Sequence, residues 1–344
     1  MENLHWTAVR RVVPELMDVL QRRLRVLQRV HLLGPIGRRA LAQAMHQSER
    51  TLRAELDVLR QQGLLISSAA GVSLSEEGSA LLAELEAVAA AAAGRADLAR
   101  TLSQILEIPN VLIIEGDSDT EPWVKEQLGL QAAQYLQNAV EDHDVIAVTG
   151  GTTVAALARN MPESNARHGL RVVPARGGVG ETVAYQANTI AAMLADRLGG
   201  TSLMLHVPDR LSPGAFEQLL EDPYIQQRLP IIRSSTVVVH GIGDALKMAR
   251  RRQASAEEMA QLERDKAVAE AFGYYFDEHG QVVYSMKTLG LRLSDISHVR
   301  FVLAVAGGKA KATAIVSAAK AYRIDALVTD EGAANRLVQQ YSHA

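Results

Sequence analysis

The chain has 344 residues, a formal net charge of −3, 48% hydrophobic and 22% charged residues, and no cysteine. That length and balance suit a soluble globular protein of two domains with a sizeable core, and the absence of cysteine excludes disulfides, thiolate chemistry and cysteine-ligated zinc or iron–sulfur sites. No apolar run approaches the ~18 residues of a membrane span, and Met1 to Val13 lack the long apolar stretch of a signal peptide, so the expectation is a cytoplasmic protein with no membrane partner.

The charge is unevenly placed. Residues 1–70 hold 11 Arg, no Lys and 6 Asp or Glu, a net charge of +5, against −8 for the rest. A basic end on an acidic body points to a polyanion partner for that end alone. Pro14 to Leu33 reads as a helix with Leu16, Leu20, Leu27 and Val30 on one apolar face, widened by Val19 and Leu24, and Gly34-Pro35 stops it. Arg38 to Met45 is a short second helix. His46 and Gln47 make a tight turn, and Ser48 caps a third helix over Glu49 to Gln62. Leu52, Leu56 and Leu59 form its core stripe; Arg50, Arg53 and Arg60 fall away from it. After Gly63, the segments Leu64–Ser67 and Val72–Leu74 alternate as a β-hairpin does.

Helix, short helix, tight turn, arginine-bearing helix and hairpin are the elements of a winged helix-turn-helix in their order. In that arrangement one helix enters the major groove of double-stranded DNA while the helix before it braces against the backbone. Ser48, Glu49, Arg50, Thr51 and Arg53 then lie at the groove-entering end, where arginine pairs bidentately with guanine or holds phosphate. Arg38 and Arg39 are better placed for phosphate. The bland reading is a three-helix packing module that happens to be basic.

Glu76 to Ile108 is helical and alanine-rich and reads as a connecting helix, kinked at Gly94, followed by the first helix of a new domain; it either pairs with its twin in a dimer or packs against its own chain. The expected division is residues 1–92 for the DNA-binding part with its connecting helix, and 93–344 for a second domain. From Val111 on, short β-branched strands alternate with helices: Val111–Ile114, Val145–Val148, Val172-Val173, Leu203–Val207, Val237–His240, Phe301–Ala306 and Ala326–Val328. Most run into glycine-containing turns, which is the signature of a mostly parallel, doubly wound sheet. Ligands of such sheets sit at the carboxyl ends of the strands. There the glycine loops Thr149-Gly150-Gly151-Thr152-Thr153, Arg176-Gly177-Gly178-Val179-Gly180, Gly241-Ile242-Gly243 and Gly307-Gly308-Lys309 bring backbone N–H groups, hydroxyls and cations together, which suits an anion. Arg251, within Arg250-Arg251-Arg252, and Lys309 or Lys311 add charge. Val183 and Leu246 stand where a dinucleotide fingerprint needs its last glycine, and no Walker A sequence occurs, which argues against NAD and ATP. Thr329-Asp330-Glu331-Gly332 reads either as an acid/base site or, preferably, as a helix N-terminus stabilised by acidic residues. The histidines show no metal-ligand spacing; His240 reads as a packing residue.

These residues resemble the SorC family of sugar-responsive regulators over nearly the whole chain. The carriers are Gly34 to Arg39, Ser48-Glu49-Arg50, Gly116-Asp117-Ser118-Asp119, Val148 to Thr153, Val173 to Gly178, Gln186-Ala187-Asn188-Thr189, Val239 to Gly243, Ala271 to Phe276 and Val328 to Gly332. The resemblance implies a winged helix-turn-helix followed by a Rossmann-like α/β effector domain, similar in fold to sugar-phosphate isomerases and deaminases but acting as a sensor, with no catalytic residue, metal or cofactor. It also implies a repressor of a glycolytic operon, relieved by fructose 1,6-bisphosphate or a related sugar phosphate, and working as a dimer or tetramer on operator DNA. Carried onto this sequence, the effector contacts are Thr152, Thr153, Arg176, Gly177, Gly178, Gln186, Arg251, Glu270 and Lys311, with Glu270 an acceptor for sugar hydroxyls. Two other readings compete: a sugar-phosphate isomerase or deaminase with a basic appendage, and a ligand-gated module that acts on proteins.

Overall fold

The computed structural model describes residues 12–45, 47–92, 94–178 and 182–341; of the residues singled out above, His46, Val179 and Gly180 lie outside this set. The chain divides into two compact units, Met1–Asp97 and Leu98–Ala344.

The first unit holds α1 (Pro14–Leu33), α2 (Arg38–Ala44), α3 (Glu49–Gln61), a hairpin of β1 (Leu65–Ser68) and β2 (Gly71–Leu74), and α4 (Glu76–Ala92). Ser48 caps α3, its hydroxyl accepting from the Thr51 N–H at 3.1 Å, and Leu52, Leu56 and Leu59 are buried as their spacing requires. Glu55 on the same helix is buried too, with Arg22 and Arg23 at 2.7 and 2.9 Å, which ties α3 to α1 by charge as well as by packing. The apolar face of α1 is shorter than its sequence suggests. Leu24, Val26, Leu27 and Val30 are buried, but Leu16 is 45% exposed. A 20-residue helix spans about 30 Å, and the small core of this unit covers only its second half. Ile36 exchanges backbone hydrogen bonds with Val72, adding a bridge to the hairpin. Gly71, at φ +133°, lies where a Cβ would strike the Ile36 backbone at 2.5 Å.

Gly94, at φ +73°, separates α4 from α5 (Arg95–Leu106), so the alanine-rich stretch is two helices. The second unit then builds a seven-stranded sheet from β3 (Asn110–Ile114), β4 (Val145–Val148), β5 (Arg171–Pro174), β6 (Thr201–Ser202), β7 (Val237–His240), β12 (Phe301–Val305) and β13 (Ala326–Asp330). Its order is β3-β13-β12-β7-β4-β5-β6, and every pairing is parallel. The strands β7 and β13 are buried along their whole length, the reason they read as unbroken apolar runs instead of alternating ones. The connecting helices include α6 (Pro122–Ala139), α7 (Thr152–Asn160), α8 (Ala187–Arg197), α9 (Pro213–Glu221), α10 (Pro223–Arg233), α11 (Ala245–Arg251), α12 (Ala256–Arg264), α13 (Ala312–Ala321) and α14 (Glu331–Tyr341). Close approach of α6 to α7 depends on Gly129, whose Cβ would meet the Ala156 backbone at 2.5 Å.

Two features depart from the sequence reading. The expected strand Leu203–Val207 is not one; pairing ends at Ser202. Beyond it, the Asn188 side chain takes the place of a neighbouring strand, accepting from Leu205 N at 3.0 Å and donating to Leu205 O at 2.9 Å. A second sheet, four-stranded and antiparallel, is added by β8 (Gly243–Asp244), β9 (Ala269–Ala271), β10 (Tyr274–Phe276) and β11 (Val282–Ser285) in the order β11-β10-β9-β8.

Candidate functional site

From β4 the chain winds outward through β5 to β6; from β7 it winds the other way through β12 to β13. The loops after β4 and β7 therefore diverge, and a crevice opens between them at the strands' carboxyl ends, the switch point where open α/β sheets bind ligands. Thr149 pins the two loops together, its hydroxyl accepting from Gly241 N at 3.2 Å. A cavity of about 280 Å³ lies here, lined among others by Thr152, Thr153, Arg176, Tyr185, Lys247, Arg251, Arg252, Glu270, Phe272 and Lys311.

One side of the cavity is cationic. α7 begins at Gly151, φ +129°, with no side-chain cap, so its first-turn N–H groups face the cavity without intrahelical partners. Among the described residues, the side chains of Lys247, Arg251 and Lys311 make no ion pair or hydrogen bond. Burial, then repulsion from Lys125, hold the Lys311 ammonium below the usual lysine range; an anion would relieve both. Lys247 and Arg251 lie one turn apart on α11, on the same face. Asp119 reaches the same side from the loop after β3, where its carboxylate accepts from Ala310 N at 2.8 Å and so fixes the short turn that carries Lys311.

The other side is charge-balanced. Arg176 Nε lies 3.0 Å from Asp209 Oδ1, Arg252 Nε 2.9 Å from Asp209 Oδ2, and Arg252 Nη2 and Arg176 Nη1 lie 3.0 and 3.3 Å from Glu270 Oε1. The four side chains close a ring and are only 3–8% exposed. Burial pushes the Glu270 carboxyl up, but Arg252 and Arg176 more than offset it, leaving the group below the usual carboxylate range. Gly273 N also donates to Glu270 Oε1 at 2.9 Å, across the tight turn between β9 and β10. Both turn residues have positive φ, Phe272 at 54° and Gly273 at 85°. A bulky side chain is rarely held there; here the Phe272 ring walls the cavity and packs 4.8 Å from His240.

Of the nine expected effector residues, Thr152, Thr153, Arg176, Arg251, Glu270 and Lys311 line the cavity, and Gly177, Gly178 and Gln186 do not. Gly177 is packed under Val207 and Pro208, and Gly178 faces Gln186. The Thr153 hydroxyl donates to Val305 O at 3.2 Å, so its proton is directed at the sheet. Lys311 lines the cavity and Lys309 does not; Arg251 faces it with an unpaired guanidinium, Arg252 is held in the ring, and Arg250 is outside. Glu270 is held by two arginines through Oε1, an environment the expectation of a plain hydroxyl acceptor did not include. Sequence reasoning missed Lys247, which its spacing from Arg251 on one helix could have revealed, and Asp209, for which no local signal exists.

Asp330 is fully buried and saturated by backbone: it accepts from Ser118 N at 2.9 Å, Gly308 N at 2.7 Å and Ala333 N at 2.9 Å. It caps α14 and clasps two site loops, as the helix-terminus reading expects. Asp330→Ala orphans three buried donors and is expected to destabilise this unit by at least about 3 kcal/mol; urea unfolding checks this. His240 is fully buried, its pKa pushed down to about 4 by burial, and it packs against Phe272 and Tyr322 as a neutral ring.

On the first unit, Arg38, Arg39, Ser48, Glu49, Arg50, Thr51 and Arg53 are all exposed. Arg39 and Glu49 pair at 3.0 Å between α2 and α3, and Arg60 pairs with Asp57 at 3.2 Å. Among the described residues, Arg38, Arg50 and Arg53 have no side-chain partner.

Residues 19–89 match the family described as "CggR N-terminal DNA binding domain", and residues 91–339 match "Putative sugar-binding domain". The central glycolytic genes regulator of Bacillus subtilis (strain 168) is 41% identical over 332 residues, 96% of this chain and 98% of that protein. Its namesake from Priestia megaterium is 42% identical over 334 residues, 97% of this chain and 98% of that one. Among solved structures, a SorC family transcriptional regulator from Enterococcus faecalis superposes with a TM-score of 0.66 at 41% identity, covering 70% of this chain and 99% of that one. The full-length sorbitol operon regulator of Klebsiella pneumoniae shares the fold at 20% identity, with a TM-score of 0.65 over 93% of this chain and 99% of that one.

Proposed function

The chain belongs to the SorC family of sugar-responsive transcriptional regulators, and on that premise we propose that it represses a glycolytic operon and releases it when fructose 1,6-bisphosphate fills the cavity at the sheet's switch point. The observation that carries this reading is the trio Lys247, Arg251 and Lys311, cations whose side chains make no ion pair or hydrogen bond among the described residues, beside the open N-terminus of α7. Such a group has no structural use for its charge and suits a phosphate. Thr152 and the first N–H groups of α7 take one phosphate with Lys311 and Lys247. The ring presents Arg176 and Glu270 to the sugar hydroxyls and the second phosphate, and Arg251 closes the site. Gly177, Gly178 and Gln186 serve from behind, as the scaffold of Arg176.

In the same reading, residues 1–92 are the DNA-binding part and 93–344 the sensor. The first three helices and the hairpin act as a winged helix-turn-helix, α3 entering the major groove with Ser48, Glu49, Arg50, Thr51 and Arg53 at its leading end while Arg38 and Arg39 hold phosphate. The protein works as a dimer or tetramer, so that effector binding biases one arrangement of subunits over another. It is a regulator, not an enzyme: its full-length relatives are transcriptional regulators, and Asp330, the carboxylate an isomerase would need, is engaged by three backbone donors.

A thermal-shift panel tests the effector. At a hundredfold excess over Kd, fructose 1,6-bisphosphate is expected to add about 2.7 kcal/mol, or roughly 5–10 °C in Tm. Sugar monophosphates give less and free sugars nothing. No shift with any sugar phosphate would overturn the proposal.

A further inference from the structure

The ring contains one member that no ligand can touch. Arg176, Arg252 and Glu270 line the cavity; Asp209 does not. Its position is set by main chain: Gly178 N donates to Val207 O at 3.1 Å and Asp209 N donates to Gly178 O at 2.9 Å, so segment 207–209 is laced to segment 176–178 behind the cavity wall. From there the carboxylate meets both guanidiniums, one through each oxygen. Oδ2 accepts from Arg252 Nε, while Oδ1 lies 3.0 Å from Arg176 Nε without the alignment of a hydrogen bond. Burial pushes the Asp209 carboxyl up and the two guanidiniums pull it back, and because guanidiniums only donate, the ionised carboxylate is the form that this pairing suits. Two cations and two carboxylates then cancel. Without Asp209 the ring would turn a net charge of one toward the cavity.

The two ends of the cavity therefore differ. Lys247, Arg251 and Lys311 attract any anion. The ring offers donors with hydrogen-bonding capacity left over, since Arg176 Nη1 and Arg252 Nη2 are buried and misaligned for hydrogen bonds with Glu270, but it offers no net charge. We propose that Asp209 is a specificity-determining residue of the effector site: by cancelling one guanidinium, it makes the ring accept a hydroxyl or phosphate that is delivered by a sugar already held at the cationic end, and keeps free inorganic phosphate out. A tethered group arrives at high effective concentration and needs little charge to bind; a free anion needs the charge. This inference rests on the sugar-phosphate reading of the cavity.

The test uses the full chain with inorganic phosphate as the probe, read by isothermal titration. The parent is expected to bind one phosphate per chain that fructose 1,6-bisphosphate displaces. Asp209→Asn leaves the ring with an unbalanced charge and is expected to bind phosphate roughly tenfold more tightly, with a second displaceable phosphate per chain. The charge-balanced double variant Asp209→Asn/Arg252→Gln is expected to return to within about threefold of the parent's phosphate affinity. Unchanged phosphate binding in a folded Asp209→Asn protein would overturn the assignment. So would two displaceable phosphates per chain in the parent, a result that stands even if the variants do not fold. A parent that binds no sugar phosphate at all sinks the reading of the cavity instead, so the two failures are distinguishable.

Discussion

Lys311→Met is expected to weaken fructose 1,6-bisphosphate binding roughly a hundredfold while operator affinity stays within twofold of the parent. The ammonium lies beside Lys125 and, among the described residues, has no ion pair or hydrogen bond; Asp119 and Asp330 offset its burial only in part, so most of its charge is left for a ligand. Losing a charge-assisted contact of that kind costs about 2–3 kcal/mol, and about 1.4 kcal/mol is tenfold. The same substitution is expected to leave the fold no less stable, because it removes a buried charge without orphaning an acceptor. The measurement is a calorimetric titration with effector beside a melting curve without it. Lys309→Met is the control: Lys309 is exposed and outside the cavity, and its loss is expected to change affinity less than twofold.

The second large effect is expected at the other end of the chain. Arg50→Ala with Arg53→Ala should weaken operator binding by roughly a hundredfold, since each arginine is worth about 1–3 kcal/mol where it pairs with a base. If both instead hold phosphates, the slope of log K against log salt falls by about 2, so a titration at several salt concentrations separates the two roles. Arg60→Ala is the contrast on the same helix. Its guanidinium is paired with Asp57 at 3.2 Å, and its loss should leave affinity within about threefold. Equal losses from Arg60 and from the Arg50/Arg53 pair would mean that α3 contributes only diffuse charge.

How far the sequence reached depends on the range of the forces involved. The helices of the first unit and the strands β4, β7 and β12 were legible because local spacing and unbroken apolar runs determine them. The glycine loops placed the site because a parallel sheet leaves few places for them. The antiparallel sheet of β8 to β11 was not legible: its strands have two to four residues each, too short for alternation to register. Leu203–Val207 looks like a strand because it is apolar, and nothing in its neighbourhood announces that Asn188, on another element, supplies its hydrogen bonds. Asp209 shows the same limit within the site. It follows Pro208 in an ordinary loop sequence, and its role exists only because β5, segment 207–209, α11 and β9 converge. Conversely, that Lys311 and not Lys309, and Arg251 and not Arg250, lines the cavity is visible only in the structure.

Filling the switch-point cavity with a sugar phosphate is expected to loosen the hold on DNA. The most direct measurement is fluorescence anisotropy on a promoter fragment selected for binding to the parent protein, titrated with and without saturating fructose 1,6-bisphosphate. Coupling energies of about 1–3 kcal/mol correspond to roughly 5- to 150-fold in affinity. A loss in that range, or an equivalent loss of cooperativity, is expected, and Lys311→Met is expected to abolish it at the same effector concentration. Operator affinity and cooperativity unchanged at saturating effector would contradict that expectation.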